Sequence, residues 1–254
     1  QENILPQLQY YKDVNCKKII ADSSLTELSD KSIFNGTGFE YIYYGPMKWS
    51  EKFIRVTNEV IDTKYIVYNN DDDRVLLPAL IECVTFMRDN PQYSVCVGRY
   101  CKVTEEVGRY EASYKSQRSR KFYSDCPKER ALYGITTNPR IHGVLRTSDW
   151  HLTNELYRDN PFMPIQTIGR NPGFDVVSNF IFAIKGNLKT LSCNYMIKNP
   201  SGLCGRRTVN VDNIRKELNL DAQNKEQIGL TKKCMLPIAN ILADEMKISI
   251  DEAL

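Results

Sequence analysis

Three consecutive aspartates, Asp71, Asp72 and Asp73, are the residues whose types and spacing most directly suggest chemistry. They follow the apolar run YIVY and two asparagines. Placing like charges side by side costs free energy unless a cation neutralises them. Mg²⁺ and Mn²⁺ take oxygen ligands, commonly one or two carboxylates together with phosphates. The triplet therefore predicts a divalent-cation site, and a solvated acidic turn is the alternative, because Asp and Asn are favoured in turns generally.

The elements that must position this triplet alternate between short apolar runs and amphipathic stretches. The apolar runs predict strands at residues 17–21, 41–44, 65–68, 93–103, 141–145 and 188–197. The amphipathic stretches predict helices at residues 4–13, 49–63, 78–89, 128–137, from Ser148 onward, and at 175–185. This alternation predicts an α/β fold with a largely parallel sheet flanked by helices. Ligands of such sheets bind beyond the carboxyl ends of the strands, where the triplet would lie.

Composition excludes several other classes of protein. The net charge of +3 is too small for a nucleic-acid-binding surface, and 42% hydrophobic with 26% charged residues is typical of a globular domain. No apolar run is long enough to span a bilayer. Eight cysteines without CxxC spacing predict reduced thiols and a cytoplasmic location, with a disulfide framework as the alternative. With only two histidines, a zinc site is not expected.

Two segments stand apart from the main pattern. Residues 104–127 mix polar, basic and tyrosine residues without a period, which predicts a mobile loop. After residue 205 the chain becomes charged and helical. We therefore divide it into a domain at 1–205 and a C-terminal helical extension at 206–254, which would serve oligomerisation, membrane-surface docking or capping of the core.

Three segments together resemble family 2-type GT-A glycosyltransferases. YIVYNNDDDRVLLPALIECVTFM resembles their metal-binding strand, DxD motif, proline and following helix. LPQLQYYKDVNCKKIIADSS is similar to their first helix and second strand, and GFDVVSNFIFAIKGNLKTLSCNYMIKN to their late acidic helix, glycine turn and strand. The order of these segments over about residues 5–200 carries most of the resemblance.

The resemblance implies a GT-A fold and a metal-dependent enzyme. Such an enzyme transfers a sugar from a nucleotide-diphosphate sugar, such as a UDP- or GDP-sugar, to a hydroxyl of a glycan or other acceptor, with inversion. By the same resemblance, Asp71 and Asp73 would hold Mn²⁺ or Mg²⁺ and, through it, the donor diphosphate. Asp72 would contact the ribose or remain solvated.

The resemblance also implies roles for four residues outside the triplet. Asp22 would accept a hydrogen bond from the nucleotide base, and Lys52 and Arg55 would be basic contacts to the donor. Asp175 would be the general base that deprotonates the acceptor. In that family the base often follows a glutamate directly in the sequence, but here Phe174 precedes Asp175. A helix cap is the alternative role for Asp175.

The family begins with a strand before its first helix, and this sequence starts at about that helix. We expect the strand either upstream of Gln1 or supplied in another way. A sugar-phosphate nucleotidyltransferase is an alternative function, but residues 1–40 lack the glycine-rich phosphate loop it would need. A non-catalytic nucleotide-sugar-binding module of the same fold is a further alternative, and an oligomer is compatible with each.

Overall fold

The computed structural model describes most of the chain. The described residues are 4–47, 49–104, 109–112, 124–135, 141–159, 172–198 and 225–253. Helices and strands alternate along them, so the α/β class is confirmed. No helix in the described ranges is both long and apolar enough to cross a lipid bilayer.

The helices of the described chain vary from one turn to six turns. They are α1 (Ile4–Tyr11), α2 (Trp49–Val60), α3 (Leu77–Asp89), α4 (Pro127–Ile135), α5 (Thr147–Asp159), α6 (Pro172–Lys185), α7 (Lys225–Met246) and α8 (Ile250–Ala253), with a short 3₁₀ helix at Ser32–Phe34. The strands are β1 (Lys18–Asp22), β2 (Phe39–Tyr43), β3 (Tyr65–Val67), β4 (Arg74–Val75), β5 (Tyr93–Thr104), β6 (Arg109–Ala112), β7 (Val144–Arg146) and β8 (Asn187–Lys198).

The strands of the described chain form two sheets. In the smaller sheet, β1 and β2 pair in parallel, with Asp22 opposite Tyr43 at their carboxyl ends. The larger sheet has the order β3-β7-β5-β8-β4, and β6 pairs with the distal part of β5. Of its pairings, β5 with β8 is parallel and the other four are antiparallel. The described pairings are thus mixed where the sequence indicated a largely parallel sheet, because apolar runs locate strands but do not fix their direction.

The direction of the strands in the larger sheet determines which residues meet at one edge. Because β3 and β5 are both antiparallel to β7, they run the same way, and β8 runs with β5. The carboxyl ends of β3 and β8 therefore lie at the same edge of the sheet. That edge carries the aspartate triplet after β3 and Lys198 at the end of β8.

Two details of the N-terminal half differ from the sequence predictions. In α1, helical periodicity predicts that Leu5 and Leu8 face inward; Leu8 is buried, but Leu5 is 55% exposed and Gln7 is buried in its place. Within the stretch predicted to be a mobile loop, Arg109–Ala112 forms β6 and pairs with Cys101–Thr104 of β5. The rest of that stretch, apart from its last few residues, lies outside the described residues.

The core around the larger sheet lies where α2, α5 and α6 pack on that sheet. Trp150, Ile181 and Phe182 are fully buried in it. Ile238 and Leu242 of α7 join the same cluster, so the described part of the C-terminal extension packs into the core of the domain. A separate small cluster of Leu8, Leu28 and Phe34 packs against the β1–β2 pair.

A buried hydroxyl links α2 to α5. Thr57 Oγ1 accepts hydrogen bonds from Trp150 Nε1 and Asn154 Nδ2, both at 2.8 Å, and donates to the Phe53 carbonyl at 2.8 Å. We expect Thr57→Val to lower the free energy of unfolding by about 2–4 kcal/mol, because two buried donors lose their acceptor. Denaturant unfolding measures the change. Thr57→Ser keeps the hydroxyl and should lose much less, and equal losses in both variants would assign the effect to packing.

Candidate active site at the carboxyl ends of the strands

The triplet occupies the turn between β3 and β4, and its three side chains differ in exposure. Asp71 is exposed, Asp72 is half-buried, and Asp73 is buried at 4% exposure. The Asp73 carboxylate accepts hydrogen bonds through Oδ2 from Asn70 Nδ2 at 2.9 Å and from Lys198 Nζ at 3.3 Å. The two predicted metal ligands thus differ: Asp71 faces solvent, and Asp73 is already held by internal partners.

Side-chain amides fix the backbone of this turn. Gln7 Nε2 donates to the carbonyl oxygens of Asp71 at 3.1 Å and Asp73 at 2.5 Å, and Asn69 Nδ2 donates to the Asp73 carbonyl at 3.0 Å. Two residues after Asp73, the Tyr11 hydroxyl both donates to and accepts from the backbone of Val75. Helix α1 is therefore bound to the turn by hydrogen bonds, which explains why Gln7 is buried.

The triplet carries more negative charge than its own contacts neutralise. Burial, followed by the neighbouring carboxylates of Asp73 and Asp71, raises the pKa of Asp72 above its usual value. A raised carboxyl pKa shows that adding the third negative charge is unfavourable here. A divalent cation at the turn would remove that cost.

Asp22 lies at the carboxyl end of β1 and its carboxylate is held in place. Its Oδ2 accepts from the Tyr41 hydroxyl at 2.7 Å, and its Oδ1 accepts from the Ser24 amide at 2.8 Å and from the Ser24 hydroxyl. Burial acts to raise the pKa of Asp22, but the hydrogen bonds from Ser24 and Tyr41 outweigh it and the pKa is lowered. Asp22 therefore remains an ionised acceptor, as a contact to a nucleotide base requires.

Lys52 of α2 lies within electrostatic range of both Asp22 and Asp71 of the triplet. Burial lowers the pKa of its ammonium, and the carboxylates of Asp22 and Asp71 partly offset that effect. The side chain is thus close enough to both carboxylates to feel their charge. Charged residues from β1 and the turn after β3, widely separated in sequence, therefore lie within electrostatic range of Lys52.

Arg55 is placed differently. Its Nε lies 3.0 Å from Glu59 Oε1, one turn along the same helix, and its guanidinium lies over the Tyr44 ring at 4.8 Å. Among the contacts of the described residues, none joins Arg55 to the triplet. The donor contact of Arg55 therefore stays a prediction.

Asp175, the predicted base, belongs to α6. That helix begins at Pro172, which suits a first helical position, so Asp175 lies inside the first turn and is not the cap residue. Its side chain lies outside the described part of the structure, as do residues 160–171 before the helix.

Lys198 and Gln7, which the sequence did not single out, contact the triplet directly, and His142 lies near it. His142 is buried, its Nδ1 is 3.3 Å from the Tyr68 carbonyl oxygen, and its ring stacks on Tyr68. Burial, followed by the charge of Lys198, lowers the pKa of His142 to about 3. His142 is therefore neutral at physiological pH.

The oxygen atoms around the turn are of the kind that Mg²⁺ and Mn²⁺ prefer. Within the described ranges, no three His, Cys, Asp or Glu side chains form a ready-made metal-binding group. In the same ranges, Gln7 Oε1 and Asn69 Oδ1 are buried without a hydrogen-bond partner, although the nitrogens of both amides are bonded to the turn. Orphaned acceptor oxygens beside a surplus of carboxylates fit a hard cation better than they fit a site that holds none.

Neither the protein-family models nor the curated proteins include a match to this chain. Any assignment of function therefore depends on the site itself.

Proposed function

We propose that this protein is a metal-dependent, inverting glycosyltransferase of the GT-A fold, which uses a UDP- or GDP-sugar as donor and a hydroxyl-bearing acceptor such as a glycan. The observation that carries the proposal is that the charges of both Asp22 and Asp71 act on the Lys52 ammonium. A nucleotide-sugar site needs an acceptor for the base, a cation for the phosphates and carboxylates for the metal, and in this proposal Asp22, Lys52 and the triplet fill these roles.

The roles follow from the charge and environment of each side chain. Asp22 is ionised and fixed by Tyr41 and Ser24, so it accepts a hydrogen bond from the base. Lys52 binds the donor phosphates. Asp71 and Asp73 hold Mn²⁺ or Mg²⁺, which when bound neutralises the charge that develops on the leaving diphosphate.

The remaining chemistry concerns the acceptor. An inverting transfer requires that a base remove the acceptor proton as the sugar leaves the diphosphate. We assign that role to Asp175 in the first turn of α6. The cysteines at positions 16, 83, 96, 101, 126 and 193 are free, which is compatible with a reducing cytoplasm.

A non-catalytic nucleotide-sugar-binding module is the second candidate, and one observation favours it. Lys198 already provides a positive charge beside Asp73, so the turn has a counter-ion without a metal. Donor turnover separates the two functions, because a module would bind UDP or GDP but would release neither from its sugar.

Asp71→Asn tests the proposed function. We expect it to weaken Mn²⁺-dependent binding of UDP or GDP at least about tenfold and to abolish release of UDP or GDP from nucleotide sugars, because one charged ligand is lost. The fold should be unaffected, since Asp71 is exposed at a strand end. Calorimetric titration with each nucleotide, with and without Mn²⁺, measures the effect.

Asp62→Asn is the matched control, because it removes the same charge just before β3, at the opposite end of that strand, where the carboxylate is 78% exposed. It should bind nucleotide as the wild type does. If the wild type binds neither nucleotide in the presence of Mn²⁺, or if Asp71→Asn binds unchanged, the proposed donor site is wrong.

A further inference from the structure

An ion pair occupies the centre of the proposed metal site. Lys198 Nζ lies 3.3 Å from Asp73 Oδ2, and the two side chains are 31% and 5% exposed. Lys198 stands at the end of β8, whose carboxyl end lies at the same edge of the sheet as the triplet. The ammonium is also 5.4 Å from the centre of the Tyr100 ring, which gives it a second favourable contact.

The pair supplies a charge that the site needs. Asp73 is the most buried carboxylate of the triplet, and a buried carboxylate is costly unless it is paired. The hydrogen bond from Asn70 satisfies the same oxygen but brings no positive charge. Lys198 brings a positive charge to this carboxylate.

Lys198 and a divalent ion would compete for the same carboxylate. A metal bound at Asp73 would lie within a few ångströms of the ammonium, where two positive charges repel each other strongly in a half-buried site. The lysine is attached to the chain by four flexible methylenes and is a third exposed, so it can move into water. The free energy of its contact with Asp73 is then lost when metal binds.

We propose that Lys198 is a tethered counter-ion that competes with the divalent cation for Asp73 and thereby sets the metal affinity of the site. The inference rests on the proposed function, because it requires that Asp73 be a metal ligand. It deepens that function by making metal binding an exchange of one cation for another. In the metal-free protein Lys198 holds the turn, and metal binding releases it.

Lys198→Met tests the exchange by direct titration with Mn²⁺. Removing the competitor should tighten Mn²⁺ binding about fivefold, the size expected for a partly exposed ion pair. The metal-free variant should also be less stable, because Asp73 loses its counter-ion, and saturating Mn²⁺ should raise its Tm more than that of the wild type. Calorimetry and thermal unfolding supply these readouts without any activity assay.

Two further variants make the result specific. Lys189→Met removes one lysine charge near the start of the same strand, where the Lys189 Nζ lies 5.2 Å from the centre of the Phe86 ring, and should bind Mn²⁺ as the wild type does. Lys198→Gln is neutral but polar, so it provides the same test if Lys198→Met does not fold.

The outcomes separate this inference from the proposed function. If the wild type binds Mn²⁺ and the neutral variants bind it equally or more weakly, Lys198 is not a competitor and the inference is wrong. If neither the wild type nor the variants bind Mn²⁺, the proposed metal-dependent function fails and the inference fails with it.

Discussion

Asp73→Asn should lose Mn²⁺-dependent nucleotide binding and reduce release of UDP or GDP from nucleotide sugars by at least about 100-fold. The substitution keeps the size of the side chain and removes the charge that a divalent cation would bind. It should cost only about 1 kcal/mol of stability, because Lys198 is 31% exposed and can be hydrated when its partner is lost. Nucleotide release, calorimetry and denaturant unfolding measure the three quantities.

Asp72→Asn is the matched control in the same turn. The pKa of Asp72 is raised by burial and by its two neighbours, so neutralising it relieves repulsion and leaves Asp71 and Asp73 charged. We expect Asp72→Asn to release UDP or GDP from nucleotide sugars at a rate that is lower by less than about tenfold. Equal losses in both variants would mean that the total charge of the turn matters more than Asp73, and a wild-type rate in Asp73→Asn would remove its metal role.

The elements that carry the site follow closely from local sequence. The apolar run before the triplet forms β3 at Tyr65–Val67, and the proline after it starts α3 at Leu77–Asp89, within a residue or two of the prediction. The strand predicted at residues 17–21 forms as β1 at Lys18–Asp22, one residue further along, so Asp22 is its last residue. These boundaries are local, since a strand ends where apolar residues give way to Asn and Asp, and a proline fits the first turn of a helix.

The partners of the triplet could not be predicted in the same way. Gln7 and Lys198 are 66 and 125 residues from Asp73, and neither stands in a recognisable motif. Lys198 reaches Asp73 because β4 pairs antiparallel with the end of β8, with Arg74 opposite Ile197, and local sequence does not fix which strands pair. Helical periodicity favours Leu5 as the inward residue of α1, yet Gln7 is buried because the turn offers it two carbonyl acceptors.

Arg55 shows how a helix position can be right and a role still unsupported. Lys52 and Arg55 are three residues apart on α2, so the sequence places both near one face of the helix. In the structure, the charges of Asp22 and Asp71 act on the pKa of Lys52. Arg55 instead pairs with Glu59 on its own helix and lies over the ring of Tyr44, just after β2. Helical periodicity alone does not predict which of these partners a side chain will choose.

A large loss of turnover is also expected when the proposed general base, Asp175, is replaced. We expect Asp175→Asn to lower kcat for transfer by about 10²–10⁴-fold, the usual contribution of general-base catalysis, while UDP or GDP affinity stays within about twofold. Asn has nearly the same size but cannot take the acceptor proton. Steady-state rates with a panel of acceptor sugars, together with nucleotide titration, separate turnover from donor binding.

The alternative role for Asp175 is structural, and its contribution to the free energy of unfolding would be small. A carboxylate in the first turn of a helix interacts favourably with the helix dipole, by about 0.3–1 kcal/mol. Glu129→Gln makes the same change of charge in the first turn of α4 and serves as the control. If Asp175 acts only on the helix, both variants should lose a little stability and keep full turnover. A large loss of kcat confined to Asp175→Asn would support its role as the base, because the dipole effect is common to both helices.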